Sequence, residues 1–315
     1  MHIFTQNDMF ITFVGSLTAL AVCIAFGYIC RLKRLLPDNL TSGMSTVLVK
    51  VTMPCTIFVS MMRPFSRTLL LESIATFFIT AAVYLSGYVI GMFLARVMGA
   101  AEDEKRVWQF GLVFANVGYM GFPVIHAVYG YEGMIYATMS NASFNMLAFS
   151  LGIYLFKRDS SEDIKTNLKS IALNPALVAT YLGFIFFVTG FRLPEAVGNG
   201  VQLISDMTVP LSMLLVGAIL AKSKPMALIN DPRLAPVIFM RLVGIPLFTF
   251  FIVRSFVHNP VMLGAVVILS AMPAAALTVI FAEQYEGNTA VASKFVALSS
   301  LLCLLSIPLI SLLLP

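Results

Sequence analysis

One apolar run of this sequence contains what an uninterrupted helix excludes. From about residue 107 to residue 128 the chain is hydrophobic enough to cross a membrane, yet it carries Asn116-Val117-Gly118-Tyr119-Met120-Gly121-Phe122-Pro123. Proline lacks a backbone N–H and its ring clashes with the carbonyl four residues back, so a break is expected near Gly121. Within hydrocarbon, a broken backbone survives only where protein buries it or where it lines a watery cavity. A second interrupted run, Ile268-Leu269-Ser270-Ala271-Met272-Pro273, lies in the other half of the chain. Interrupted spans at corresponding places in two halves point to a transporter's binding site. The competing reading is a pair of proline-kinked structural helices, since proline and glycine are frequent in membrane spans.

Composition agrees with a membrane solvent. Only 11% of the 315 residues are charged, against roughly 25% in soluble domains. The expected fold class is therefore an all-α polytopic membrane protein. Hydropathy lays out about ten spans of about 20 residues each. They cover residues 9–30, 40–62, 69–95, 107–128 and 134–156, then 171–190, 201–221, 234–253, 260–282 and 289–314. The hydrophilic stretch 157–170 separates the two sets. The first run is too long for a signal peptide and has no basic segment before it, so it is expected to be retained.

The two sets repeat each other. Leu36-Pro37-Asp38 before Thr52-Met53-Pro54 matches Leu193-Pro194-Glu195 before Thr208-Val209-Pro210, and Tyr131-Glu132-Gly133 matches Tyr285-Glu286-Gly287. An odd number of spans per set turns the second upside down, an inverted repeat. The expected organisation is a first repeat over 1–156, a cytoplasmic connector over 157–170 and a second repeat over 171–315. Lys and Arg concentrate in alternate loops: Arg31, Lys33 and Arg34; Arg96, Lys105 and Arg106; Lys157, Arg158, Lys165 and Lys169; Lys222, Lys224 and Arg233. The opposite loops hold Arg63, Arg67, Arg192 and Arg254. The richer side is cytoplasmic by the positive-inside rule, which puts both termini outside the cytoplasmic membrane. The net charge of +5 is explained by these loops, so the lipid bilayer is the expected partner and nucleic acid is not. Cys23, Cys30, Cys55 and Cys303 show no paired spacing and read as small apolar residues.

If Pro123 and Pro273 each open a half-helix, two N-termini with unsatisfied N–H groups face the protein interior. Each behaves like about half a positive charge, worth ~0.3–1 kcal/mol toward an anion. Asn116 adds two donors and an acceptor at the same place. Gly118, Gly121 and Ser270 complete the candidate site around the two breaks. Asn141 and Asn145, spaced i,i+4, either line a cavity or join helices. Lys50, His126, Arg241, Glu283 and Lys294 are ionisable residues in or near spans, each a functional candidate by default. Arg241 either attracts an anion or snorkels, and His126 either relays protons or is held by a hydrogen bond. Gly87 and Gly91 form a small-xxx-small face, a common packing pattern.

Other classes fit poorly. Val117-Gly118-Tyr119 echoes a potassium filter, but Asn replaces the leading Thr and Met120 stands where a glycine belongs. No nucleotide-binding Gly-Lys-Ser/Thr loop, zinc-protease motif or nucleophile elbow occurs, so neither a nucleotide-driven pump nor an enzyme is expected. A receptor usually carries an output domain, and the sequence stops after its last apolar run.

The chain resembles the auxin efflux carrier family, which includes the plant PIN-formed carriers and bacterial permeases described as malonate or malate transporters. The likeness rests on Asn116 to Pro123 followed by Gly130, on Ala271-Met272-Pro273-Ala274-Ala275, on Val209-Pro210-Leu211-Ser212-Met213-Leu214-Leu215-Val216-Gly217, and on Ser306-Ile307-Pro308-Leu309. It implies a scaffold of spans 1, 2, 6 and 7 and a transport domain of spans 3–5 and 8–10. Spans 4 and 9 would cross as broken helices around the substrate. By that similarity Asn116, Pro123 and Pro273 are crossover residues, while Ser270 stands nearest to where the plant carriers have a second asparagine. The resemblance further implies a homodimer formed through the scaffold. The expected activity is a permease for a small organic anion, with Asn116, Gly118, Gly121, Pro123, Asn141, Asn145, Arg241, Ser270 and Pro273 as candidate binding residues. No cofactor is expected, and a proton or sodium gradient is the candidate driving force. A sodium-coupled symporter of the related bile-acid carrier architecture is the nearest alternative.

Overall fold

Among the described residues, three turns that are one residue too wide are each explained by a proline. The turns cover Leu48–Thr52, Val117–Gly121 and Met240–Gly244, and each ends two residues before a proline: Pro54, Pro123 and Pro246. Proline cannot donate to the carbonyl four residues back and clashes with it, so the preceding turn opens to the i→i+5 pattern. A fourth wide turn, Ala148–Gly152, has no such proline, and we have no physical account of it.

The computed structural model describes residues 6–156, 173–222, 232–285 and 287–314. The expected connector 157–170 lies outside the described residues, as does Pro315. The described residues are built from helices: α1 (Gln6–Leu32), α2 (Asp38–Met61), α3 (Arg67–Val97), α4 (Glu102–Val113), α5 (Phe122–Leu147), α6 (Pro175–Thr189), α7 (Glu195–Asp206), α8 (Thr208–Lys222), α9 (Leu234–Val253), α10 (Pro260–Ser270), α11 (Leu277–Gln284) and α12 (Thr289–Ser311). Among the described residues, six helical stretches are long and apolar enough to cross a membrane, with α7 and α8 counted as one. α6 and α10 are shorter but apolar.

The most extensive packing joins particular pairs of helices, and α5 also packs on α1 and α2. α1 lies along α8, and α2 packs on α6 and α7. α3 packs on α4 and α5, α10 on α5 and α9, and α11 on α12. The α1–α8 contact is set by two glycines. A methyl group on Gly27 would overlap the Leu214 carbonyl, and one on Gly217 would overlap the Ile24 carbonyl. Gly87 and Gly91 also serve packing within the chain, because their missing Cβ atoms leave room for Leu112 and Gln109 of α4.

The runs expected at 107–128 and 134–156 are not separate helices. α5 runs through both, turned at Gly130, whose φ of 57° and ψ of −151° suit glycine and strain other residues. The first break also begins earlier than expected. α4 already ends at Val113, and helical structure resumes at Val117, ahead of Pro123.

Candidate functional site

The two breaks meet each other. Residues 114–116 and 273–275 run antiparallel, with Ala115 opposite Ala274. Asn116 N–H donates to the Pro273 carbonyl at 2.8 Å, and Ala275 N–H donates to the Phe114 carbonyl at 2.9 Å. These bonds satisfy backbone groups that a broken helix would otherwise leave bare in an apolar interior. Ser299 Oγ of α12 accepts from Ala274 N–H at 3.2 Å and fixes the second segment from behind. Pro273 therefore works through its carbonyl in the extended link, three residues before Ala276 caps α11. Pro123 instead occupies the first turn of α5.

Asn116 is almost fully buried and begins the wide turn Val117–Gly121. Its Oδ1 accepts from Tyr119 N–H at 3.2 Å, and its carbonyl accepts from Gly121 N–H at 3.0 Å. No described residue accepts from its Nδ2 or from the Gly118 N–H, which is in the first turn and has no intrahelical acceptor. Both donors therefore remain unbonded among the described residues. Gly121 lies against Leu269 and Met272 of the opposite segment, and Gly118 against the Met53 side chain of α2.

Arg241 closes the underside of the crossing. The wide turn Met240–Gly244 carries it, and its side chain is 1% exposed. Its guanidinium donates to the Leu112 carbonyl at 2.7 Å, the Ser270 carbonyl at 2.6 Å and the Met272 carbonyl at 3.0 Å. These acceptors belong to the C-terminal ends of α4 and α10, where unpaired carbonyls make each helix negative by about half a charge. Arg241 thus satisfies and neutralises both negative ends. The positive ends, at Val117 and Leu277, are left without a counter-charge from this residue.

The remaining candidates are placed differently. Ser270 spends its hydroxyl on the Val267 carbonyl, at 2.7 Å, so only its main chain joins the crossing. Asn145 Nδ2 donates to the Asn141 carbonyl at 2.8 Å, while Asn141 Nδ2 is buried without a partner among the described residues. Neither asparagine shares a hydrogen bond with the crossing. His126 has no described hydrogen bond; its ring stands edge-on to Tyr131 with centroids 4.6 Å apart. Glu283 is exposed at the end of α11, and Lys294 is half-buried near the start of α12.

Sequence reasoning overlooked two polar clusters. Glu72 of α3 accepts from the Tyr136 hydroxyl at 2.6 Å and from Asn259 Nδ2 at 3.1 Å, joining α3, α5 and the start of α10. The available signals were a carboxylate within the apolar run 69–95 and an Asn-Pro helix start at Asn259. Asp206 of α7 accepts from the Tyr131 hydroxyl at 2.8 Å and from Gln202 Nε2 at 2.7 Å, and Gln202 also donates to the Tyr131 hydroxyl. This cluster ties the turned part of α5 to α7.

The pattern of the membrane transport protein family matches residues 12–311 of this chain. The chain belongs to that family. The auxin efflux carrier resemblance, which is this family's, thus holds over most of the sequence. An uncharacterised transporter of Methanothermobacter thermautotrophicus is 28% identical over 307 residues, covering 94% of this chain and 98% of its own length. The uncharacterised transporter YfdV of Escherichia coli is 23% identical over 311 residues, covering 94% and 96%. A further uncharacterised transporter, MJ1031 of Methanocaldococcus jannaschii, is 25% identical over 207 residues, covering 62% of this chain and 65% of its own. Membership in this transport family, with its long apolar helices, makes the chain a multi-pass membrane transport protein.

Proposed function

We propose that the protein is a secondary active permease of the cytoplasmic membrane for a small organic anion, a mono- or dicarboxylate. In this reading ten spans form two inverted repeats, and the substrate binds where the two interrupted helices meet. α3–α5 and α9–α12 move as one body against α1, α2 and α6–α8, driven by a proton or sodium gradient. The observation that carries the reading is the division of charge at the crossing. Arg241 occupies the two carbonyl ends, while the Gly118 N–H and Asn116 Nδ2 remain unbonded beside the positive end of the wide turn. Such donors can replace the water around a carboxylate without a salt bridge that would slow release.

The test separates a donor from a cap. Asn116→Ala removes Nδ2 and is expected to weaken binding by about 1–3 kcal/mol, the cost of an unmade buried hydrogen bond. It also removes the Oδ1 cap on Tyr119, which costs stability by about 1 kcal/mol. Asn116→Asp keeps that acceptor, removes the donor and adds a negative charge, so it should lose the anion while melting like the parent. Pro123→Ala lets the wide turn tighten and withdraw its amides, and should impair turnover with equal or greater stability. Uptake of radiolabelled malonate and longer dicarboxylates into proteoliposomes, under imposed proton or sodium gradients, measures all three together with melting curves. Unchanged affinity in every variant would return both breaks to the role of structural kinks.

Orientation has its own check. A reporter fused after Pro315 is expected outside the cytoplasm, and one inserted between Ser160 and Asn167 inside it. Finding both on one side of the membrane would end the inverted-repeat reading.

A further inference from the structure

Lys50 sits near the middle of the 24-residue helix α2, on its wide turn, and its side chain is exposed at the protein surface. No described residue gives it a hydrogen bond or an ion pair. An uncompensated ammonium is costly at such a depth in hydrocarbon, so this face of α2 should meet water. The residues leading to it agree. Ser42, Thr46 and Lys50 follow one another at four-residue spacing, and all three are exposed. Val47 and Val51, one position further round the helix, are also exposed and supply an apolar strip for lipid. On the other flank α2 touches the crossing itself. Ser45 Oγ lies 2.7 Å from the Tyr119 hydroxyl, and Met53 packs on Gly118.

The repeat sharpens the point. Lys50 stands two residues before Thr52-Met53-Pro54, and Asp206 stands two residues before Thr208-Val209-Pro210. Equivalent positions thus carry opposite charges. Asp206 is held by Tyr131 and Gln202, which draws α5 and α7 together on its side of the protein. Lys50 has no such partner.

We propose that Lys50 is the cationic group of the substrate site, reached by water along Ser42 and Thr46 from the Asp38 end of α2, and that it receives a carboxylate of the transported anion. This rests on the reading of the crossing as an anion site, and adds a charge contributed by the facing helix. Gly118 and Asn116 supply neutral donors from one body, and Lys50 supplies the ammonium from the other. An anion bound between them is held by both bodies at once.

The test needs no knowledge of the natural substrate. Full-length Thr46→Cys protein in membrane vesicles is treated from the cytoplasmic face with a sulfonate-bearing and a trimethylammonium-bearing methanethiosulfonate, and the peptide containing residue 46 is followed by mass. Thr46→Cys should react with both reagents. Adding Lys50→Gln should lower the ratio of sulfonate to ammonium rates about tenfold, and Lys50→Arg should preserve it. Val51→Cys should resist both reagents. Ser42→Cys, one turn nearer the aqueous end, gives the same comparison if Thr46→Cys folds poorly. Cysteines at 42 and 46 that react with neither reagent, or a rate ratio unaffected by Lys50→Gln, would overturn the proposal. Such a failure would count against Lys50 and leave the crossing standing, whereas unchanged anion affinity in every variant of the crossing would remove the reading on which this proposal rests.

Discussion

Arg241→Met is expected to cause the largest loss of any single substitution in this protein. Methionine fills most of the volume but leaves the Leu112, Ser270 and Met272 carbonyls without their common donor. Leaving a buried acceptor unsatisfied costs about 1–3 kcal/mol, and here three lose their donor at once. Most of that penalty should fall on the crossing, because all three acceptors lie at its edges. Arg241→Lys retains the charge but presents a single ammonium where a planar fork meets three carbonyls, so it should recover only part of the loss. Melting temperature and membrane abundance measure the effect. An Arg241→Met protein that melts like the parent would show that the guanidinium does not support the crossing.

The second large effect is expected where α1 meets α8. Gly217→Leu would drive a side chain into the Ile24 carbonyl, and Gly27→Leu would do the same at the Leu214 carbonyl. Backbone cannot move aside as a flexible side chain does, so the helices must separate. A cost of at least about 3 kcal/mol follows, at or above the upper end for overpacked interiors. Close helix approach through small residues also supplies much of the attraction between membrane helices, and the substitution would remove it. Gly43→Ala is the control, since nothing lies within 4 Å of the position its Cβ would take. Its melting temperature should not fall. Equal melting of Gly217→Leu and Gly43→Ala would show that the close approach contributes nothing.

The sequence carried the helical character and the approximate region of the breaks because both are local, although the first break lies at residues 114–116 and not near Gly121. Apolar runs of sufficient length and prolines within them need no knowledge of their neighbours. That the breaks cross was implied only by the family resemblance, and the bonds that join residues 114–116 to 273–275 were not legible, since they link main-chain atoms that every sequence possesses. The role of Arg241 was ambiguous for a related reason. A guanidinium that satisfies helix ends and one that meets a ligand look alike in a string of letters, and only the three carbonyl partners show which acceptors it has. The tie between Tyr131 and Asp206 depends on the turn at Gly130, whose direction no hydropathy pattern encodes. Lys50 was visible as a charge within an apolar run, but its exposure beside Ser42 and Thr46 required the helix to be built.

With the substrate site placed at the crossing, as proposed, a crossing assembled from main-chain hydrogen bonds separates architecture from choice of cargo. Side chains around residues 114–118 and 273–276 can change without altering the Asn116–Pro273 and Ala275–Phe114 bonds, so one frame can be refitted for chemically different passengers. Relatives at 23–28% identity can therefore share the frame and still differ in what they carry. On the proposed reading, cargo should be inferred for each member from its own side chains at the crossing, and not passed down with the fold.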